Sequence, residues 1–216
     1  MSVRANDEAE RVTAAWRALT AWPAEHAPLS YASILPPATN EEIATANSRL
    51  KQHFGFGLPV ELDALWRLCG GAEHQYIEND EQGEVGSGAF LPHGVMCSLA
   101  RAVELRLAML GWGAPGDMWG GARVLPWLTR DEAGPEQGRY AGDVGVGDWW
   151  IVEQPVTEAV HPSISACLEA TLRALTDGPA NLMRDDVPGL VWGCLIRGNP
   201  ERPGMLDAFA HWTPIH

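Results

Sequence analysis

The residues able to do chemistry come first. The histidines are His26, His53, His74, His93, His161, His211 and His216. A zinc site needs its ligands at fixed spacing, as in H-E-x-x-H or paired C-x-x-C motifs, and the chain has neither. The nearest approach is Glu73-His74, at the start of an acidic stretch that reads as a solvated loop. Gly83 to Gly88 and Gly142 to Gly147 are both G-x-x-G-x-G. A phosphate cradle needs G-x-G-x-x-G between a strand and a helix, or a following Lys-Ser/Thr. The second run leads into a strand, so no helix N-terminus would face an anion there, and both runs read as turns. Cys97 lies near His93, but no G-x-S-x-G elbow accompanies them, and a buried thiol is the plainer reading of Cys97. The expectation is therefore no metal, no cofactor and no enzymatic reaction.

Acidic and aromatic residues are what remain. Asp80, Glu81 and Glu84, then Asp131, Glu132 and Glu136, fall in predicted loops. The formal net charge is −13 and the pI about 4.8. Such a surface repels nucleic-acid phosphates and draws basic partners; the alternative is a solvated face that only keeps the chain soluble. If the partner is a nuclease, its cleft is basic because it must hold phosphates, and carboxylates set against it would speed association. Trp149 and Trp150 are neighbours on a predicted strand, so they point to opposite faces. One belongs to the core; the other, where exposed, can anchor an interface.

The elements that must position these residues follow from periodicity and punctuation. Asp7 to Trp22 reads as a helix with Val12, Ala15, Trp16 and Leu19 inward, stopped by Pro23, with Asp7, Glu8 and Glu10 near the positive end of its dipole. A Pro-rich connector spans 28–37. Thr39 and Glu42 form a capping box for a second helix that buries Ile43, Ala46, Leu50 and Phe54, and Gly55 and Gly57 break it. Leu58 to Gly71 reads as a short third helix, with Pro59 in its first turn, a stripe of Leu62, Leu65, Trp66 and Cys69, and Gly70-Gly71 as its left-handed stop. Glu73 to Gly88 is an exposed loop or hairpin, and Phe90 to Cys97 a short strand and turn. Ser98 caps a fourth helix, with Leu99, Val103, Leu107 and Leu110 inward. Gly111 to Gly121 is loop. Ala122 to Thr129 is a strand that Pro126 marks as edge or bulge, Asp131 to Gly142 an acidic turn region, and Asp148 to Gln154 the best strand. Ser163 starts the last helix, which buries Ile164, Cys167, Leu168, Thr171, Leu172 and Leu175 and ends at Asp177-Gly178-Pro179. Leu190 to Ile196 reads as one more strand. Helices, then strands with one helix among them, then a closing helix argue for an α+β fold, helices packed around a small, mainly antiparallel sheet.

At 216 residues, 46% hydrophobic and 20% charged, the chain can bury a core without staples. Cys69, Cys97, Cys167 and Cys194 form no C-x-x-C pair, which suits a reduced, cytoplasmic setting. The first ten residues are polar and acidic, unlike a signal peptide, and no apolar run approaches the ~18 residues of a membrane span. Lys51 is the only lysine among 15 basic side chains. With many Ala and Gly, that bias points to a GC-rich bacterial source.

Three blocks in order resemble the SUKH superfamily, bacterial immunity proteins related to the yeast cell-wall-assembly regulator. They are Leu35-Pro36-Pro37-Ala38-Thr39-Asn40-Glu41-Glu42-Ile43, the stretch Leu58 to Gly71, and Gly145-Val146-Gly147-Asp148-Trp149-Trp150-Ile151-Val152-Glu153. The resemblance covers roughly residues 10 to 178. It implies a SUKH-like domain over 1–178, including the helix at 7–22, and leaves 179–216 as a C-terminal extension. The chain is longer than the family pattern between Pro126 and Asp148. The function implied is a non-enzymatic, protein-binding module, an immunity protein that neutralises a cognate toxin, with no nucleic acid or membrane as partner. A regulatory scaffold in a signalling or cell-envelope pathway is the alternative. The expected partner surface is Asp80, Glu81, Glu84, Asp131, Glu132, Glu136, Trp149 and Trp150.

Overall fold

The computed structural model describes residues 3–79, 83–92, 94–111, 119, 121–130, 137–150, 158–178, 187–198 and 210–216. The class is α+β: six α-helices and three small antiparallel sheets among these residues.

Helix α1 runs Val3–His26, through Pro23 rather than up to it. Proline removes one intrahelical bond, but Pro23 is itself buried, as are Trp16 and Leu19 earlier on the helix. The helix closes one turn later, where Ala27 donates to the Pro23 carbonyl at 2.9 Å. Because it begins at Val3, Asp7, Glu8 and Glu10 lie beyond its first turn. Glu8 pairs instead with Arg4 at 3.0 Å, and Glu10 accepts from Asn6 at 2.7 Å. The Pro-rich connector contains a one-turn helix, α2, Pro28–Ala32. Helix α3, Asn40–Phe54, starts where its capping box predicts: the Glu42 amide donates to Thr39 Oγ1 at 3.2 Å and the Thr39 amide to Glu42 Oε2 at 2.7 Å.

Helix α4 is shorter than the sequence suggests. It spans Val60–Trp66 with Pro59 at its N-cap, and its C-cap is Arg67, in an ordinary right-handed conformation. Gly70-Gly71 do not cap it. Gly71, at φ 123°, turns the chain so that residues 70–72 pair with 34–35: Gly70 donates to the Leu35 carbonyl and Leu35 to that of Gly71. The stripe Leu62, Leu65, Trp66 and Cys69 is nonetheless fully buried, and Trp66 Nε1 donates to the Cys97 carbonyl at 3.1 Å.

The acidic stretch is a hairpin of β1, Tyr76–Glu78, and β2, Glu84–Gly86. A four-stranded sheet follows in the order β3 (Val95–Met96), β4 (Val124–Thr129), β5 (Gln137–Gly142), β6 (Gly145–Trp150). Its register slips between Pro126 and Leu128, the expected bulge. Two readings are corrected here. Residues 137–142 are a strand rather than part of a turn region, and β6 starts at Gly145, three residues before the predicted onset; residues 151–154 lie outside the described part. Helix α5, Leu99–Ala108, is capped by Ser98 as expected, but Leu107 is only partly buried and Leu110 is exposed. The α5 helix ends at Ala108 and a 3-10 turn over Met109–Gly111 swings Leu110 outward. Helix α6, Ile164–Thr176, is capped by Ser163 and also by Glu61 of α4, whose carboxylate accepts from the Ile164 amide at 2.8 Å.

Leu190 to Ile196 is a hairpin rather than one strand: β7 (Val187–Val191) and β8 (Cys194–Gly198), with β9 (Thr213–Pro214) on the other side of β7. Its turn is Trp192-Gly193, at φ 48° and 79°, the type I′ geometry that suits strand twist but strains a bulky residue. Trp192 offsets that strain by packing on the small cluster of Val85, Val191, Cys194 and Ile196. The edge of this sheet is tied to α2, since Gly193 accepts from the Leu29 amide at 3.0 Å and buried Ser30 Oγ from the Leu195 amide at 2.8 Å.

Candidate functional site

The β5–β6 hairpin is where chemistry and exposure meet. Its register pairs Ala141 with Val146, Arg139 with Asp148 and Gln137 with Trp150 on one face; Tyr140 with Gly147 and Gly138 with Trp149 fall on the other. The two tryptophans are separated as alternation requires. Trp149 is 1% exposed and belongs to the core; Trp150 is 48% exposed. Of the two, only Trp150 is open to solvent, and Trp149 drops out of the expected surface.

Along the face carrying Trp150 the environment grades from dry to wet. Val146 and Ala141 are buried. Next comes an ion pair, Arg139 Nε to Asp148 Oδ1 at 3.0 Å, with the guanidinium side chain 2% exposed and the carboxylate side chain 42% exposed. Trp150 stands one pair further out. Arg139 Nη1 also reaches Cys167 Sγ of α6, at 3.5 Å. Burial pushes the Cys167 thiol up, and the neighbouring Arg139 only partly opposes that. On β8, Arg197 Nη1 donates to the Phe90 carbonyl at 2.6 Å.

His161 lies against the outer edge of β6, its carbonyl accepting from the Val146 amide at 2.8 Å and its amide donating back at 3.1 Å. Burial first, then the Arg139 charge, with Arg173 adding and Asp148 opposing, holds its imidazole below the ordinary 6.5. The unfolded chain therefore takes up a proton near pH 6.5 that the folded chain resists. The stability tied to this histidine is present above that pH and falls as the pH drops through it. Urea unfolding at pH 7.5 and 5.5 should show the loss on acidification, and His161→Asn should flatten it.

Of the remaining expected residues, Glu84 alone lies among the described ones. Glu84 is exposed on β2 and faces Glu78 across the hairpin, a like-charge cross-strand pair that disfavours the pairing. This hairpin and Trp150 belong to different sheets. Asp80, Glu81, Asp131, Glu132 and Glu136 lie outside the described residues, as does His93. Cys97 is a buried thiol pushed up to about 11 by burial, with Thr129 as its neighbour; Cys69 is pushed up to about 12, against Met96 Sδ. Neither has the lowered pKa of a nucleophile. All four cysteines are free and buried.

A cleft of about 650 Å³ opens between α1, α4, the β5–β6 turn and the start of α6. Its charged groups mostly engage one another: Arg4 with Glu8, Arg123 with Asp143 at 3.3 Å, and Glu61 with the α6 amides. Among the described residues, no three His, Cys, Asp or Glu side chains come together as a metal site would require.

Three arginines escaped the sequence reading. Arg139 and Arg197 are described above. Arg106 of α5 is wholly buried, its guanidinium 4.3 Å from the Phe54 ring centre and its Nε donating to the Val124 carbonyl. An arginine on a helix or beside a glycine turn reads as solvated surface, and only the partner across the fold shows otherwise.

No family model and no curated protein matches the chain. Among the described residues no helix is long and apolar enough to cross a membrane.

Proposed function

We propose that this chain is a non-enzymatic protein-binding module of the SUKH type, a cytoplasmic immunity protein that neutralises a cognate bacterial toxin by docking onto it. The observation that carries the reading is the pairing of exposed Trp150 with half-exposed Asp148 two residues away on the same face of β6. A lysine or arginine of a partner can lie over the indole ring and extend toward the carboxylate, adding cation–π attraction to charge complementarity. The overall charge of −13 favours the same class of partner. Glu78 and Glu84 on the β1–β2 hairpin offer a second acidic edge. Four buried, unpaired thiols accord with a reducing compartment.

The test is co-purification with the product of the neighbouring gene, followed by a toxicity-rescue assay. A tight complex and loss of toxicity are expected; full toxicity without a complex rejects the immunity role. A complex with a non-toxic neighbour would move the chain to the scaffold class. Trp150→Ala should weaken the complex by roughly 10- to 30-fold, as truncating an interface anchor does, while leaving the melting temperature of the free protein within about 2 °C. Titration calorimetry and a thermal melt separate the two effects.

A further inference from the structure

We infer that the outer edge of β1 takes up an extended segment of a protein partner, one that carries Lys or Arg at alternate positions and adds to the β1–β2 hairpin as a third strand. The inference rests on the protein-binding reading only in taking the partner to be a protein. It uses a different surface from Trp150 and needs no toxin.

The backbone leaves this edge open. The Gln75 carbonyl accepts from the Ser87 amide at 2.9 Å, and the Asn79 amide donates to the Gly83 carbonyl at 3.1 Å. Hydrogen-bonded pairs alternate along an antiparallel ladder, so Ile77 and Val85 are the bonded pair between these two. Tyr76 and Glu78 hold the intervening positions, opposite Gly86 and Glu84. Their N–H and C=O groups are therefore directed away from β2. Among the described residues β1 pairs with no strand but β2, and these four groups make no backbone hydrogen bond there. Neither a proline nor a bulge blunts the edge, as commonly happens where strand edges are kept closed. A segment laid along β1 can take all four bonds, which is recognition by strand addition.

The side chains say which segment fits. Ile77 turns inward against Val85, Val191, Cys194 and Ile196, so Tyr76 and Glu78 turn outward by alternation. Tyr76 is 58% exposed, and the His74 ring meets it edge-on with centroids 5.0 Å apart. His74 has room there because Gly86, across the hairpin, carries no Cβ to fill the same space. Glu78 stands exposed opposite exposed Glu84. From Glu73 to Gly88 the sequence holds Glu73, Glu78, Asp80, Glu81 and Glu84, with no Lys or Arg. A basic residue of the new strand placed opposite Glu78 makes a cross-strand ion pair. A second one, two positions along, sets its cation over the Tyr76 ring. An acidic segment would add to the repulsion already present between Glu78 and Glu84. A second copy of this chain is disfavoured for the same reason: it brings the same carboxylates to the edge and a net charge of −13.

The test is a titration of the full, isotopically labelled chain with two capped heptapeptides, one alternating lysine with valine and the other glutamate with valine. The lysine peptide is expected to shift the Tyr76 and Glu78 amide resonances saturably and to slow their hydrogen exchange. The glutamate peptide should do neither. N-methylation of the lysine amides, which face β1 in this register, keeps the charge but removes the donors and should weaken binding about tenfold or more. N-methylation of the valine amides, which face away, should not. Glu78→Lys, which replaces the repulsion with Glu84 by attraction and so keeps the hairpin, should weaken the lysine peptide by a comparable factor. The proposal is overturned by absence of shifts at Tyr76 and Glu78, or by shifts confined to Asp148 and Trp150. It is overturned equally if the two N-methylated peptides bind alike, or if Glu78→Lys binds the lysine peptide as the parent does. No readout here involves toxicity, so a failed rescue assay and a failed titration are separate results.

Discussion

Trp66→Ala is expected to lower stability by about 3–5 kcal/mol, the range for deleting a large core aromatic, which is a large part of a typical domain's total. Trp66 is wholly buried on α4, and α4 packs against α1 and β5. Truncation would open a cavity and strand the Cys97 carbonyl that the indole N–H now satisfies. Trp66→Phe tests the partition. It keeps most of the ring but not the hydrogen bond, and should recover more than half of the loss. Urea unfolding with unchanged m-values would show that both variants act on stability rather than on the denatured ensemble. An alanine variant within 1 kcal/mol of the parent would mean that α4 is not the keystone its burial indicates.

Asp148→Ala should cost about 2–3 kcal/mol. Removing one member of a fully buried ion pair typically costs 3–5 kcal/mol, because the other charge is left uncompensated. Here the carboxylate is partly exposed, so water can reach part of the space it vacates and the cost falls below that range. Arg139, nearly sealed from solvent, would keep Cys167 Sγ as its side-chain hydrogen-bond partner among the described residues. The double variant Arg139→Met with Asp148→Ala should therefore be more stable than Asp148→Ala alone. A double-mutant cycle measured by urea unfolding reads this directly; simple additivity would show that the pair is not a coupled unit.

The legible parts of the sequence are those whose cause is local. The α3 capping box, the Ser98 and Ser163 caps, and the opposed faces of Trp149 and Trp150 each depend on residues within a turn or a strand repeat, and each is found as read. The misread parts depend on what arrives from elsewhere. Pro23 signals a stop, yet burial against the core carries α1 past it. Gln137 to Gly142 has the glycines and arginine of a loop; it is a strand because β4 and β6 flank it and Asp148 meets Arg139 across the register. Trp192-Gly193 lacks the usual Asn-Gly signature of a tight turn, so two strands read as one. The candidate site divides in the same way. Trp150 could be named from alternation alone, whereas Arg139, Cys167 and Arg197 come from three separate elements and only folding brings them together.

The bond from the Leu195 amide to Ser30 Oγ joins residues 165 apart. During synthesis at roughly 5–20 residues per second, α2 would leave the ribosome with its serine hydroxyl and the Leu29 amide waiting on the order of ten seconds or more for β8. The N-terminal helices must persist over that interval without the strand that finally fastens them. The α3 capping box and the α1–α4 contacts become the provisional scaffold of the nascent chain, and the hairpin at Trp192-Gly193 is the clasp that fastens α2 once β8 arrives.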